Sequence, residues 1–487
     1  MGENMNKQNT FWSSSVARSE IRTSDVILPE MLLGYLIGPF GGLLASGIFT
    51  SMLQQYFTDV LKLELNYLTG LQLLSTAFIV TANLVAGQLI ERTRTLAGKA
   101  RPWILLSALT ISVASVLMFI VPFEGTAKMI WIGIAYNVYY AIAFPIYNTA
   151  NATLVSVSTR DSNKRGALAS LANIAALGAM GVGSMVFPLL VSFALKENQS
   201  LWLVAMLAIS IFTMLTVFLQ YKFTRERVTE EVLAARCKAC GKPEAVSLGR
   251  QLKAVAGEKW WWIVITFYLL FQWSGAMKNG SMAYFCKWVV DNSFLGSADA
   301  WGASQSLLAV MGAAPMAVAA ALVVPLANRF SKRKVVLAGM LIGTAGGVIA
   351  GLANNNLVGI CIGVALKCLG SAPACYLILA MLADVIDHIE YKEGIRTDGL
   401  TMSIYSSIMV AGTPICNAIF SAILRMSNYD QSAVVGQAAQ PNGAQTAIAV
   451  SYIWIETIAF AVCAVLILFW NVEKKLPGEQ KRIQKNL

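Results

Sequence analysis

Hydrophobic and polar positions segregate along this chain in long blocks, not residue by residue. Apolar runs of about 20 residues or more, each long enough to cross a bilayer as a helix, recur from one end to the other. Twelve are predicted as helical spans, at 31–56, 67–89, 102–121, 129–155, 166–195 and 201–221, then 260–289, 301–324, 335–352, 357–382, 400–424 and 447–470. A membrane barrel would show weak alternating segments of about ten residues instead, so the expected fold class is an all-α membrane protein. A charged, hydrophilic stretch divides the spans six and six. The predicted organisation is a cytoplasmic segment at 1–29, a six-helix bundle at 30–221, a cytoplasmic middle loop at 222–259, a second bundle at 260–471 and a basic tail at 472–487.

Composition agrees with the pattern. The 487 residues are 56% hydrophobic and 13% charged, which excludes an ordinary soluble protein. The formal charge of +11 has a membrane explanation, because basic residues concentrate in loops that stay in the cytoplasm. With both termini inside, those loops carry Arg92, Arg94, Lys99 and Arg101, then Arg160, Lys164 and Arg165, then Arg329, Lys332, Arg333 and Lys334. The opposite loops hold isolated bases such as Lys62, Lys128 and Lys196. A multi-pass protein of the inner (cytoplasmic) membrane is expected, monomeric, with a small-molecule solute and the lipid bilayer as partners and no nucleic acid.

Two candidate chemistries fall away. Cys237 and Cys240 form one CxxC, but a structural zinc site needs four ligands, and neither a second pair nor a nearby histidine is present. No GxxxxGKS/T phosphate loop exists. The single histidine, His388, lies in a charged block away from any plausible nucleophile, so neither an enzyme nor a cofactor is expected.

An internal repeat can be read across the middle stretch. One offset of 233 residues relates Lys99 to Lys332, Arg101 to Lys334, and Arg165-Gly166-x-x-x-Ser170 to Asp398-Gly399-x-x-x-Ser403. Two six-helix halves related in this way are a transporter pattern, with substrate bound near the bilayer midplane.

The block 384–399 holds Asp384, Asp387, His388, Glu390, Lys392, Glu393, Arg396 and Asp398 between two apolar runs. Such a density of charge is costly in hydrocarbon, so the block is read as a surface connection. Asp384, Asp387, His388 and Tyr391 follow helical spacing and would share one face. That face is expected to pair with bases of the first half, such as Arg94, Arg160 or Arg165, as part of a cytoplasmic gate.

Ionisable residues inside spans are functional candidates. Lys278, Lys367 and Glu456 qualify. Either a lysine attracts an anionic group of the substrate while Glu456 carries a coupling proton, or Lys367 and Glu456 form a structural pair. Uncharged candidates are Tyr140, Tyr147, Asn148 and Asn151 in span 4, Asn173 in span 5, and Gln272, Trp273 and Asn279 in span 7. Amides, hydroxyls and an aromatic suit a sugar; buried amides also join helices.

Specific motifs now carry a resemblance. Thr93-Arg94-Thr95-Leu96-Ala97-Gly98-Lys99-Ala100-Arg101-Pro102-Trp103, the charged loop Asp161 to Arg165, and the series Ala383-Asp384, Asp387-His388, Glu390, Lys392, Gly394, Arg396, Asp398-Gly399 and Ser403 resemble the glycoside–pentoside–hexuronide:cation symporter family, of the melibiose permease type. The resemblance implies the major facilitator fold and cation-coupled symport of a sugar, glycoside or sugar acid by alternating access. A uniporter, a proton-coupled carrier of another solute and a non-transporting sensor are the alternatives. It also implies gate roles for Arg94, Lys99, Arg101, Arg160, Arg165, Asp384, Asp387, Glu390 and Arg396, and binding positions at Asn148 and Asn173. The family's charged centre is absent: its cation-site carboxylates fall on Ile79, Asn83 and Asn148, its sugar-binding acid on Leu43, its arginine on Asn173 and its lysine on Val410. A sodium site of that type is therefore expected to be lost, and the coupling cation, proton or sodium, stays open.

Overall fold

The computed structural model describes residues 19–474 apart from 94, 96, 160–161, 228, 230–247, 297–299, 394–396, 434 and 436–438. Among these residues the chain is helical, with no strand and one isolated bridge, Thr95 to Gly98. Twelve long helical segments follow one another: α1 Glu30–Val60, α2 Leu65–Arg92, α3 Arg101–Leu117, α4 Gly125–Val155, α5 Ala167–Leu195 and α6 Gln199–Lys222; then α7 Lys259–Trp288, α8 Trp301–Phe330, α9 Lys332–Leu352, α10 Leu357–Glu393, α11 Asp398–Met426 and α12 Asn442–Leu468. Ten are long and apolar enough to cross a membrane. The other two are α3, apolar but only 17 residues, and the tryptophan-rich α7, which carries Lys259, Lys278 and Lys287.

The largest departure from the expected pattern is α10. Helix continues through Asp384, His388 and Lys392 to Glu393, where a connection was expected. The reason is local: no proline or glycine interrupts the block before Gly394, and charged partners, Lys332 and the buried Glu258, lie against Asp384 and His388.

By contacts the chain divides into two units. One holds residues up to Leu63, Leu73–Phe187 and Leu195–Lys242; the other holds Glu64–Gln72, Pro188–Ala194 and Pro243–Leu487. The amino-terminal unit packs around a ring cluster in which Tyr56 lies 4.5 Å from Phe119 and 5.0 Å from Trp202. The carboxy-terminal unit has its own core, including Trp260, Trp261, Phe267, Met381, Phe460 and Trp470. Large apolar side chains such as Leu74, Phe78, Val204, Leu341, Ile458 and Phe469 are exposed, as helices in contact with hydrocarbon require.

Each unit fixes the start of its third helix with a carboxylate from the segment after its sixth. Glu226 accepts hydrogen bonds from the backbone N–H groups of Lys99 (2.9 Å), Ala100 (2.8 Å) and Arg101 (2.8 Å). Glu473 does the same for Lys332 (2.9 Å) and Arg333 (3.3 Å) at the start of α9. The first amides of a helix lack intrahelical partners and carry positive dipole charge, so an anion is the fitting cap. Gly98 precedes the first clamp at φ +113°, and a Cβ there would stand 2.3 Å from the Glu226 carboxyl. The position before the second clamp is Ser331, at φ +86°. These parallel clamps are the structural counterpart of the repeat between Lys99 and Lys332.

Candidate functional site

The intramembrane charges converge. Lys278 of α7, Lys367 of α10 and Glu456 of α12 form one cluster in the carboxy-terminal unit. Lys278 Nζ lies 3.2 Å from Glu456 Oε1, and Lys367 Nζ lies 2.7 Å from Glu456 Oε2. At helical rise, Lys367 sits roughly 15 Å along α10 from its start. Its side chain is 2% exposed and that of Glu456 is 5% exposed, whereas Lys278 retains 20%.

The backbone of α12 prepares the place for Lys367. Val450–Trp454 is a π-helical turn, and Lys367 Nζ donates to two carbonyls within it, Tyr452 O at 3.5 Å and Ile453 O at 3.3 Å. With the Glu456 carboxylate these place three oxygens within 3.5 Å of one ammonium. The Tyr452 ring lies beneath it at 6.0 Å.

The amino-terminal unit has a polar centre of a different kind. Tyr147 Oη of α4 donates to Gln220 Oε1 of α6 at 3.0 Å, and Gln220 Nε2 donates to Asn151 Oδ1 at 2.7 Å. Gly38 O of α1 is a further acceptor at 3.4 Å. Tyr147 is fully buried and Asn151 nearly so; a Cβ at Gly42 would stand 2.1 Å from the tyrosine hydroxyl. Tyr147 thus spends its hydroxyl, and Asn151 its amide oxygen, on contacts between helices. Gln220 is the member that the sequence reading missed, since it lies in the last turn of an otherwise apolar run.

The remaining candidates lie more openly. Tyr140 is half-buried among Tyr136 (4.6 Å) and Tyr139 (5.0 Å). Asn148 is half-buried and Asn173 exposed. Gln272 and Asn279 are half-buried on α7, and Trp273 Nε1 donates to Ile408 O at 3.2 Å. Ile79 is buried and Asn83 Nδ2 donates to Ile79 O, so part of the Asn83 amide is bonded to its own helix.

Of the gate candidates, Arg94, Arg160 and Arg396 lie outside the described residues, as do the side chain of Arg165 and both Cys237 and Cys240. Lys99 and Glu390 are half-buried. Arg101 is buried within its own unit, donating to Ala97 O and Tyr221 O and stacking over the Tyr221 ring at 4.7 Å. Asp384 pairs with Lys332 at 2.6 Å. Lys392 and His388 lie 3.1 and 3.8 Å from Glu258 Oε2. Asp387 is half-buried beside them on α10. A further ion pair not anticipated is bidentate: Arg227 grips buried Glu30 at 3.0 and 2.8 Å.

Comparison with known proteins concerns the chain as a whole. A family model described as MFS/sugar transport protein matches residues 34–474. An isoprimeverose transporter of Lactiplantibacillus pentosus is 27% identical, with 97% of each chain covered. A glucuronide carrier protein homolog of Escherichia coli strain K12 is 23% identical over 88% of this chain and 91% of its own. Among solved structures, the nucleoside transporter NupG aligns with TM-score 0.63 at 12% identity, covering 91% of this chain and 100% of its own; at that identity the likeness concerns the fold. The extent of the family match, with the loop motifs in their order, places the chain: it belongs to the MFS/sugar transport protein family and is a multi-pass membrane transporter, not an enzyme.

Proposed function

We propose that this chain imports a sugar, glycoside or sugar acid across the cytoplasmic membrane by cation-coupled symport with alternating access. Both termini and the basic loops stand on the cytoplasmic face, and the working unit is a monomer. The observation that carries the reading is the family match over residues 34–474, joined to a buried ionic cluster in membrane-spanning helices. Relatives named for isoprimeverose and glucuronide support a sugar-class substrate. Asn148, Asn173, Gln272 and Trp273 supply amide and aromatic groups for its hydroxyls and ring face. Lys99, Arg101, Asp384, Asp387 and Glu390 belong to the cytoplasmic gate, with Arg94, Arg160, Arg165 and Arg396.

The coupling ion is a proton or sodium. A hard cation wants several oxygen ligands, usually with carboxylate charge, and Ile79, Asn83 and Asn148 offer no carboxylate. That observation favours a second reading, a uniporter on the same scaffold. Uptake of labelled isoprimeverose and a labelled glucuronide into proteoliposomes, with sodium and pH gradients imposed separately, decides. Symport requires accumulation under one gradient. Equilibration without accumulation under either makes the protein a uniporter, and no flux of either solute removes the sugar-class reading.

A further inference from the structure

The cluster at Glu456 holds two lysines and one acid, and its charges do not cancel. No other aspartate or glutamate lies within the apolar runs of the carboxy-terminal half; Asp384 marks the charged end of α10. The two lysines are also not equivalent. Lys367 has three oxygens within 3.5 Å and almost no exposure. It is the enclosed member of the pair.

Lys278 has Glu456 Oε1 at 3.2 Å, at the limit of a good hydrogen bond, and a fifth of its side chain is open. One turn earlier on α7, a Cβ built at Gly275 would meet nothing within 4 Å. Gln272 and Asn279, on the same stretch of helix, are half-buried with it. The surplus positive charge therefore sits on the accessible member, with open space one turn away on the same helix.

We infer that Lys278 is an anion-recognition site, taking the carboxylate or sulfonate group of the transported solute, with Glu456 and Lys367 as positioning residues. This rests on the sugar-transport reading and narrows it to acidic solutes. Glu456 holds the Lys278 ammonium from one side, Lys367 holds Glu456, and the π-turn carbonyls hold Lys367. An incoming oxyanion meets a fixed cation and balances the cluster.

The test is counterflow in proteoliposomes with methyl β-D-glucuronide against methyl β-D-glucoside. Wild type should favour the glucuronide at least tenfold. Lys278→Arg should keep that preference, and Lys278→Gln, which leaves a balanced Lys367–Glu456 pair, should lose it. Equal handling of the two glycosides by wild type, or an undiminished preference in Lys278→Gln, overturns the inference.

A second measurement needs no variant to fold. Sodium methanesulfonate and sodium D-glucuronate should raise the melting temperature of the wild-type protein in detergent, relative to sodium chloride at equal ionic strength. No rise overturns the inference even if Lys278→Gln misfolds. Neutral glycoside flux without any anion effect leaves sugar transport standing and removes the site. A rise with methanesulfonate but no flux of either glycoside keeps the site and removes the sugar reading.

Discussion

The two units solve the same packing problem with opposite chemistry. In each, the first, fourth and sixth helices meet around a polar group from the sixth. In the amino-terminal unit that group is Gln220, and its partners Tyr147, Asn151 and Gly38 form a neutral network. In the carboxy-terminal unit it is Glu456, with two lysines. A neutral network that is well satisfied stabilises and specifies a fold. A charged cluster with an excess cation costs free energy in a low-dielectric setting. On the reading proposed above, the contrast is one between a structural centre and a working one.

The sharpest way to break the comparison is Glu456→Gln. The buried Lys367 ammonium and the partly open Lys278 ammonium would be left together without a counter-charge, a loss of about 3–5 kcal/mol. The expected outcome is little folded protein by fluorescence-detected gel filtration, with partial recovery when Lys367→Met is added. Normal yield and melting temperature for the single variant would show that the cluster is not held by ionic pairing.

Gln220→Leu probes the neutral centre. It strands the Asn151 carbonyl oxygen, worth about 1–3 kcal/mol when left unsatisfied in the interior, and leaves the Tyr147 hydroxyl only the longer bond to Gly38 O. The melting temperature should fall, while the ratio of glucuronide to glucoside flux stays unchanged. A shifted ratio would mean that the neutral centre also reads the substrate.

The clamps before α3 and α9 offer a smaller, signed pair. Gly98→Ala adds a Cβ at 2.3 Å from the Glu226 carboxyl and at a left-handed φ, so the melting temperature should drop. Ser331→Gly removes a strained side chain at φ +86° and should raise it, by roughly 1 kcal/mol in stability. Equal responses of like sign would undo the parallel between the clamps.

The smallest effect is expected at Asp25. A hydrogen bond and the nearby charge from Lys164 hold this exposed carboxyl below its ordinary range. A lowered value stabilises the fold above the unfolded value and is lost as pH falls through the folded one. Water screens the pair, so Asp25→Asn should leave the melting temperature unchanged between pH 8 and 5. A clear drop would mark the amino-terminal segment as structural.

Much of this was legible before any coordinates. Apolar run length gave the helices, because hydrocarbon thickness sets a length that short-range packing does not alter. Lys278, Lys367 and Glu456 could each be picked out as expensive charges, but their meeting could not, since it depends on three helices far apart in the chain. Tyr147 and Asn151 were visible as a polar face; that they are spent on Gln220 was hidden, because a glutamine in the last turn of an apolar helix resembles an ordinary interfacial residue. The helical course of α10 beyond Leu382 was obscured for a related reason. Charge density marks a segment as unsuited to lipid but says nothing of whether its backbone stops. Glu226 and Glu473 gave no signal, since an acid in a charged stretch has no pattern that names the helix it caps.

The socket of Lys367 has a genetic consequence. Two of its three oxygens are main-chain carbonyls of Tyr452 and Ile453, which every amino acid possesses. A library that exchanges side chains would therefore register the packing of these two positions and leave the acceptors intact. Their contribution would surface only when the count of residues changes. Removing one residue from Val450–Trp454 would restore ordinary α-helical register, rotate Glu456 relative to the turn before it, and dismantle the socket in a single step.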